Sequence, residues 1–215
     1  GQDSSATIFR RTRETKINGN ITLNGNGKSS IETGLGFLNH MLAQIPSHSN
    51  INLKLHVQGD LKVDEHHTIE DTGLALGEAI RKSLGNMKGR SRYGFSLPMD
   101  ESQASCLIDL GGRPNIKWEV EFLREYIGDV PTEMFEHFFK SFADASKSTI
   151  HIRATGKNEH HKIEAVFKAF ARALNMAIQQ DDQNINIPTS KGTILLCKQR
   201  LYNTMRETSG RFILL

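Results

Sequence analysis

Cysteine is nearly absent from this sequence, with Cys106 and Cys197 the only 2 in 215 residues and no C-x-x-C between them. That scarcity excludes a disulfide framework and a thiolate-held metal, and it fits a reducing compartment, so a cytoplasmic location is expected. Long apolar runs are missing too: none approaches the roughly 18 residues of a membrane span, and the polar, Arg-rich start lacks the apolar stretch of a signal peptide. Nor is there a large excess of one charge. A formal net charge of +3 and a pI near 8.9 are too mild to argue for nucleic acid without a clustered basic face, and they leave anionic small molecules as partners. Hydrophobic residues at 37% and charged residues at 24% match ordinary globular chains and exclude wholesale disorder. The length suits one large domain or two small fused ones.

Histidine is what the sequence does have, 9 in all, and most of them fall in a repeat. In the first copy, Gly36-Phe37-Leu38-Asn39-His40-Met41-Leu42 leads to the alternating stretch Ile51 to Val57, then Gly59, then His66-His67-Thr68-Ile69-Glu70. In the second, Met134-Phe135-Glu136-His137-Phe138-Phe139 leads to the alternating Thr149 to Ala154, then Gly156, then His160-His161-Lys162-Ile163-Glu164. The order in both is helix with a lone His, strand, Gly turn, His pair, helix.

Period-two alternation predicts half-buried strands, and the apolar spacing after each His pair (Ile69, Leu76, Ile80; Ile163, Val166, Phe167, Phe170) predicts amphipathic helices. Further strands are expected over 16–24, 30–33, 104–110 and 115–122, with 85–100 as the junction because Gly89, Gly94 and Pro98 punctuate it. The expected fold is therefore α+β, an internal duplication of a small sheet-plus-two-helices unit, with residues 1–94 as the first repeat and 95–195 as the second. The tail, 196–215, lies outside the repeat.

Adjacent helical residues diverge by about 100°, whereas residues four apart share a face. His66 with Glu70, and His160 with Glu164, are therefore chelating pairs, while His67 and His161 point elsewhere. Adding His40 and His137 gives six imidazoles and two carboxylates. Pseudo-twofold pairing assigns His66, Glu70, His137 and His161 to one ion, and His160, Glu164, His40 and His67 to the other. Nitrogen and carboxylate donors suit Mn, Fe or Zn, and four protein ligands leave two octahedral positions open. Divergent His pairs on one compact chain do not readily converge twice, so each ion is expected to draw ligands from two chains. His56 and His151 read as ordinary strand histidines.

Several segments together carry a specific resemblance: Gly36-Phe37-Leu38-Asn39-His40-Met41, Gly59-Asp60-Leu61, Asp64 to Gly73, Gly112-Arg113-Pro114, Glu136-His137-Phe138-Phe139 and Gly156-Lys157-Asn158-Glu159-His160-His161. They resemble the imidazoleglycerol-phosphate dehydratase family over about residues 7–195, and Leu97-Pro98-Met99-Asp100-Glu101 is similar to the dehydratase half of its bifunctional members. The resemblance implies a duplicated fold like the second domain of ribosomal protein S5, two manganese ions per subunit, and a 24-subunit assembly with shared sites. It implies a lyase that dehydrates imidazole glycerol phosphate to imidazole acetol phosphate in histidine biosynthesis, the ions binding the substrate as imidazolate.

Carried over residue by residue, the family's phosphate-binding positions fall on Arg92, Arg113 and Pro188-Thr189-Ser190-Lys191-Gly192, and other substrate contacts fall on Glu14, Gln44 and Lys168. Glu14, in Arg10-Arg11-Thr12-Arg13-Glu14-Thr15, is the expected acid/base. Lys168 is the second candidate, because it continues the His160-Glu164 face while the first copy has Leu74 there. Three positions depart from the family pattern: Asn39 replaces an Asp expected to orient His40, Ser49-Asn50 replaces Gly-Gly, and Thr189 replaces Ser. Two other functions compete. A two-metal hydrolase would use the same open positions to generate hydroxide, though it would be expected to share bridging Asp. An RNA-binding module would rest on Lys88, Arg90 and Arg92 as a basic cluster.

Overall fold

A computed structural model describes residues 4–97 and 101–194. Pro98 to Asp100, Leu195, Cys197 and the tail lie outside the described residues. The elements run β1 (Ser5–Arg11), β2 (Thr15–Thr22), β3 (Ser29–Glu32), α1 (Gly36–Ser49), β4 (Asn52–Gly59), α2 (His66–Leu84), β5 (Tyr93–Ser96), β6 (Gln103–Asp109), β7 (Asn115–Glu119), β8 (Tyr126–Ile127), β9 (Val130–Pro131), α3 (Glu133–Ser146), β10 (Thr149–Thr155) and α4 (Glu159–Ile178).

The duplication is explicit in the sheets. One four-stranded sheet has the order β1-β2-β4-β3 and the other β5-β6-β10-β7. In both, the first two pairings are antiparallel and the last is parallel. Alternation places Ile17, Ile21, Leu53, Leu55 and Val57 on the inner face of the first sheet, and Cys106, Ile108, Ile150, Ile152 and Ala154 on that of the second. Burial pushes the Cys106 thiol well above its ordinary pKa, so it behaves as a small core hydrophobe.

The helices lie between the sheets, with α2 packed on α3 and α1 on α4. Phe135, Phe138, Phe139, Phe142, Phe167 and Phe170 are all fully buried there, each worth about 1.5–3 kcal/mol relative to exposure. Arg81 ties the halves together from α2, donating from Nε to Ser146 O at 2.6 Å and from Nη2 to Lys147 O at 3.1 Å and Leu110 O at 2.9 Å. It thereby satisfies carbonyls at the end of α3 that no helical N–H can reach. Desolvation lowers its pKa to about 10.

The segment expected to be a junction contains β5. The missed signal was Gly94, which reads as a turn but is a strand residue pressed against α4: a Cβ there would lie 1.9 Å from Ala173 O. Because β5 pairs with β6, the second sheet begins before the expected division at 94/95. The strand β1 was also missed, since Ile8 is its one fully buried side chain. The expected strand at 115–122 ends at Glu119, and the β8–β9 hairpin follows. Among the described residues no helix is long and apolar enough to cross a membrane.

Candidate functional site

Close helix packing builds the first His–Glu group. Gly73 and Gly77 let α2 approach the α3 backbone, bringing the start of one helix beside the start of the other. Glu70 Oε1 then lies 2.9 Å from His66 Nε2 and 3.2 Å from His137 Nδ1, and the two rings are 5.4 Å apart. The second group is its counterpart across α1 and α4. Donor atoms of His40, His160 and Glu164 all lie within 4.8 Å of one another, with His160 Nε2 3.3 Å from Glu164 Oε2. Both are two-imidazole, one-carboxylate sets, matching the chelating pairs expected from helical spacing.

His67 and His161 fall outside these groups. His67 stands edge-on to His66 at 6.0 Å and 81°, and His161 stands edge-on to His160 at 6.0 Å and 83°. Within one chain each cluster therefore unites three of its four expected ligands and leaves one histidine directed away. His161 Nδ1 instead meets the carboxylate of Glu101.

Local capping fixes these side chains. Asp129, from the β8–β9 turn, accepts from the Gly36 and Phe37 N–H groups at 2.7 and 3.1 Å, capping α1 just before His40. Asn158 caps α4, accepting from the His161 N–H at 3.0 Å. No sequence signal marked Asp129, because the segment it caps is 92 residues away. Asn39 does not orient His40. Its Oδ1 accepts from Thr33 N at 2.8 Å and Thr33 Oγ1 at 2.6 Å, and its Nδ2 donates to Glu32 at 3.3 Å. Asn50 adopts a left-handed conformation (φ 60°) at the end of α1, which Asn tolerates better than most non-glycine residues.

Glu14 lies in the β1–β2 turn, which is bolted to α2. Thr15 Oγ1 donates to Asp71 Oδ2 at 2.6 Å and Arg10 Nε to Asp71 Oδ1 at 3.3 Å, at the residue next to Glu70. The Glu14 carbonyl also accepts from the Asp60 N–H at 3.1 Å. Gln44 donates to the His40 carbonyl at 3.2 Å, one turn along α1. Lys168 Nζ lies 2.9 Å from Glu164 Oε1, and its hydrogen bond holds Glu164 below the ordinary carboxylate pKa against the opposing effect of burial.

The phosphate candidates gather elsewhere. Arg92, Arg113, Thr189, Ser190 and Lys191 line one cleft of about 1130 Å³, which also contains Lys147. Arg92 forks onto Asp109, Nε at 2.7 Å and Nη2 at 3.1 Å, and donates from Nη1 to Pro188 O at 2.9 Å. The hydrogen bond to Asp109, working against desolvation, raises the Arg92 pKa. Lys147 follows α3 directly, ten residues after His137, so the cleft lies roughly 15 Å along that helix from the first His–Glu group. One chain therefore separates this basic cleft from its first His–Glu group.

The basic cluster invoked for RNA is not a surface. Arg90, its middle residue, is buried, donating to Ile178 O at 2.7 Å and Ser4 Oγ at 2.7 Å.

Comparison with known proteins shows what the chain as a whole is similar to. The sequence profile of imidazoleglycerol-phosphate dehydratase matches residues 33–174. The histidine biosynthesis bifunctional protein HisB of Spirosoma linguale is 54% identical over 191 residues, 88% of this chain and 50% of that protein. HisB of Bacteroides fragilis is 54% identical over 189 residues, with the same coverage. The chain thus spans about half the length of these relatives. Among solved structures, imidazoleglycerol-phosphate dehydratase of Staphylococcus aureus superposes with TM-score 0.74 at 36% identity, covering 82% of this chain and 99% of that one. The Pyrococcus furiosus enzyme, in complex with (S)-C348, gives 0.73 at 28% identity, covering 86% and 99%.

Proposed function

Because this chain belongs to the imidazoleglycerol-phosphate dehydratase family, we propose that it dehydrates D-erythro-imidazole glycerol phosphate to imidazole acetol phosphate in L-histidine biosynthesis. The observation that carries this reading is the pair of pseudo-equivalent groups, His66-Glu70-His137 and His40-His160-Glu164, each beside a histidine turned away from it.

The donors fit divalent transition metals: each group offers two imidazole nitrogens and one carboxylate oxygen and contains no thiolate. We assign two Mn²⁺ per subunit, with His161 and His67 of neighbouring copies completing the sets, in a 24-subunit assembly. Bound metal supplies the Lewis acidity that stabilises the substrate's imidazole ring as its anion. The divergence of His67 and His161, and the distance of the basic cleft from the first His–Glu group, both support sites built between chains.

Arg92, Arg113 and Lys191 bind the phosphate dianion, guanidinium forks and ammonium matching its oxygens, and Thr189 and Ser190 add hydroxyl donors. Asp109 holds the Arg92 fork in place before substrate arrives. Dehydration breaks the C3–O bond and the C2–H bond. A protonated side chain delivers a proton to the departing hydroxyl, which leaves as water. A base takes the C2 proton, and the resulting enol tautomerises to the ketone. Glu14, held by the turn that Asp71 anchors, is the acid/base. Lys168, whose bond to Glu164 lowers that carboxyl's pKa, is the second candidate for this proton traffic. The chain is to be incubated with imidazole glycerol phosphate and Mn²⁺, following ketone and inorganic phosphate together. Ketone formation without phosphate release supports the reading; phosphate release without ketone overturns it.

A further inference from the structure

The two sheets place one carboxylate at equivalent positions beside each His pair. In the first sheet Thr15 pairs with Gly59, so Glu14 immediately precedes the residue facing the Gly turn. In the second, Gln103 pairs with Thr155, and one step further Ser102 faces Gly156 so closely that a Cβ on Gly156 would lie 2.3 Å from Ser102 Oγ. Glu101 is therefore the counterpart of Glu14, and Ser102 that of Thr15.

The duplicates have diverged in their partners. Thr15 donates to Asp71, the residue after Glu70. The residue after Glu164 is Ala165, and the Ser102 hydroxyl is buried with no hydrogen-bond partner among the described residues. The hairpin that carries Glu14 is thus fastened to its helix by Asp71, whereas the carboxylate of Glu101 itself reaches its helix, meeting His161 Nδ1.

From this juxtaposition we infer that Glu101 is a positioning residue for His161. Accepting from Nδ1–H, the carboxylate fixes the tautomer that carries its lone pair on Nε2, sets the ring plane and makes that nitrogen a better donor. Both side chains are more than half exposed in the single chain, at 56% and 58%, on a surface that a neighbouring copy can meet. This inference rests on the metal reading above; it adds that Glu101 acts on one of the two ions and Glu14 on the substrate.

The test is Mn²⁺ titration of the chelated full chain, comparing wild type, Glu101→Ala, Glu101→Gln and Glu14→Gln, with melting of each metal-free protein as the control for folding. Glu101→Ala is expected to weaken one of two Mn²⁺ sites by about 10–100-fold and leave the other unchanged. Glu101→Gln, whose amide oxygen still accepts from Nδ1–H, is expected to recover part of the loss. Excess Mn²⁺ is expected to restore turnover to Glu101→Ala but not to Glu14→Gln. Unchanged affinity in Glu101→Ala, or equal loss at both sites, overturns the inference while leaving the metal reading standing. Wild type that binds no Mn²⁺ overturns both.

Discussion

Gly73 on α2 faces the main chain of Phe138 on α3 so closely that a Cβ on Gly73 would stand 2.7 Å from the Phe138 carbonyl oxygen. That oxygen belongs to helix backbone and cannot swing aside. The approach it permits puts Glu70 within reach of His137, three residues earlier on one helix and one residue earlier on the other. Gly73→Ala is therefore expected to push the helices apart. It should destabilise the chain by about 1–3 kcal/mol, as overpacking does, and weaken metal binding at the His66-Glu70-His137 group more than at its counterpart. Chemical denaturation and Mn²⁺ titration of the variant check both effects.

Arg92→Ala and Arg113→Ala are expected to raise KM strongly, with kcat falling as well where phosphate binding positions the ring. The two should differ in stability. Arg92 holds Asp109 and the Pro188 carbonyl, so its loss also loosens the cleft wall. Steady-state kinetics with melting curves separate the effects, and unchanged kinetics in both variants would remove the cleft from the reaction.

Glu14→Gln keeps the hairpin's anchors, because Thr15 and Arg10 still bond Asp71. Metal content, assembly and substrate binding are expected to persist while kcat falls by about 10²–10⁴-fold. Near-normal turnover would transfer the role to Lys168.

The proposed sharing of sites between neighbouring copies would make metal binding part of assembly energy. Chelation is expected to break the particle into smaller species, and size-exclusion with light scattering reads this directly. A particle of unchanged size after complete metal removal would contradict shared sites.

The His–Glu groups were legible because helical periodicity alone places residues four apart on one face, and both copies showed it. The α+β duplication was legible in the strand–Gly–His order. Glu101 as the partner of His161, Asp129 as a cap and β5 as a strand were not. The first two act across long stretches of chain, and Gly94 carries a turn signal at a site chosen for close backbone approach. Asn39 was legible only as a departure from the family pattern; its partner Thr33 was not, because that bond joins the start of α1 to the segment before it.

Six histidines and two glutamates are proposed to make two metal sites for each chain. Elemental analysis of protein expressed with ample manganese and purified without chelator tests it most directly. The account predicts two divalent transition ions per chain; one ion or none would contradict it.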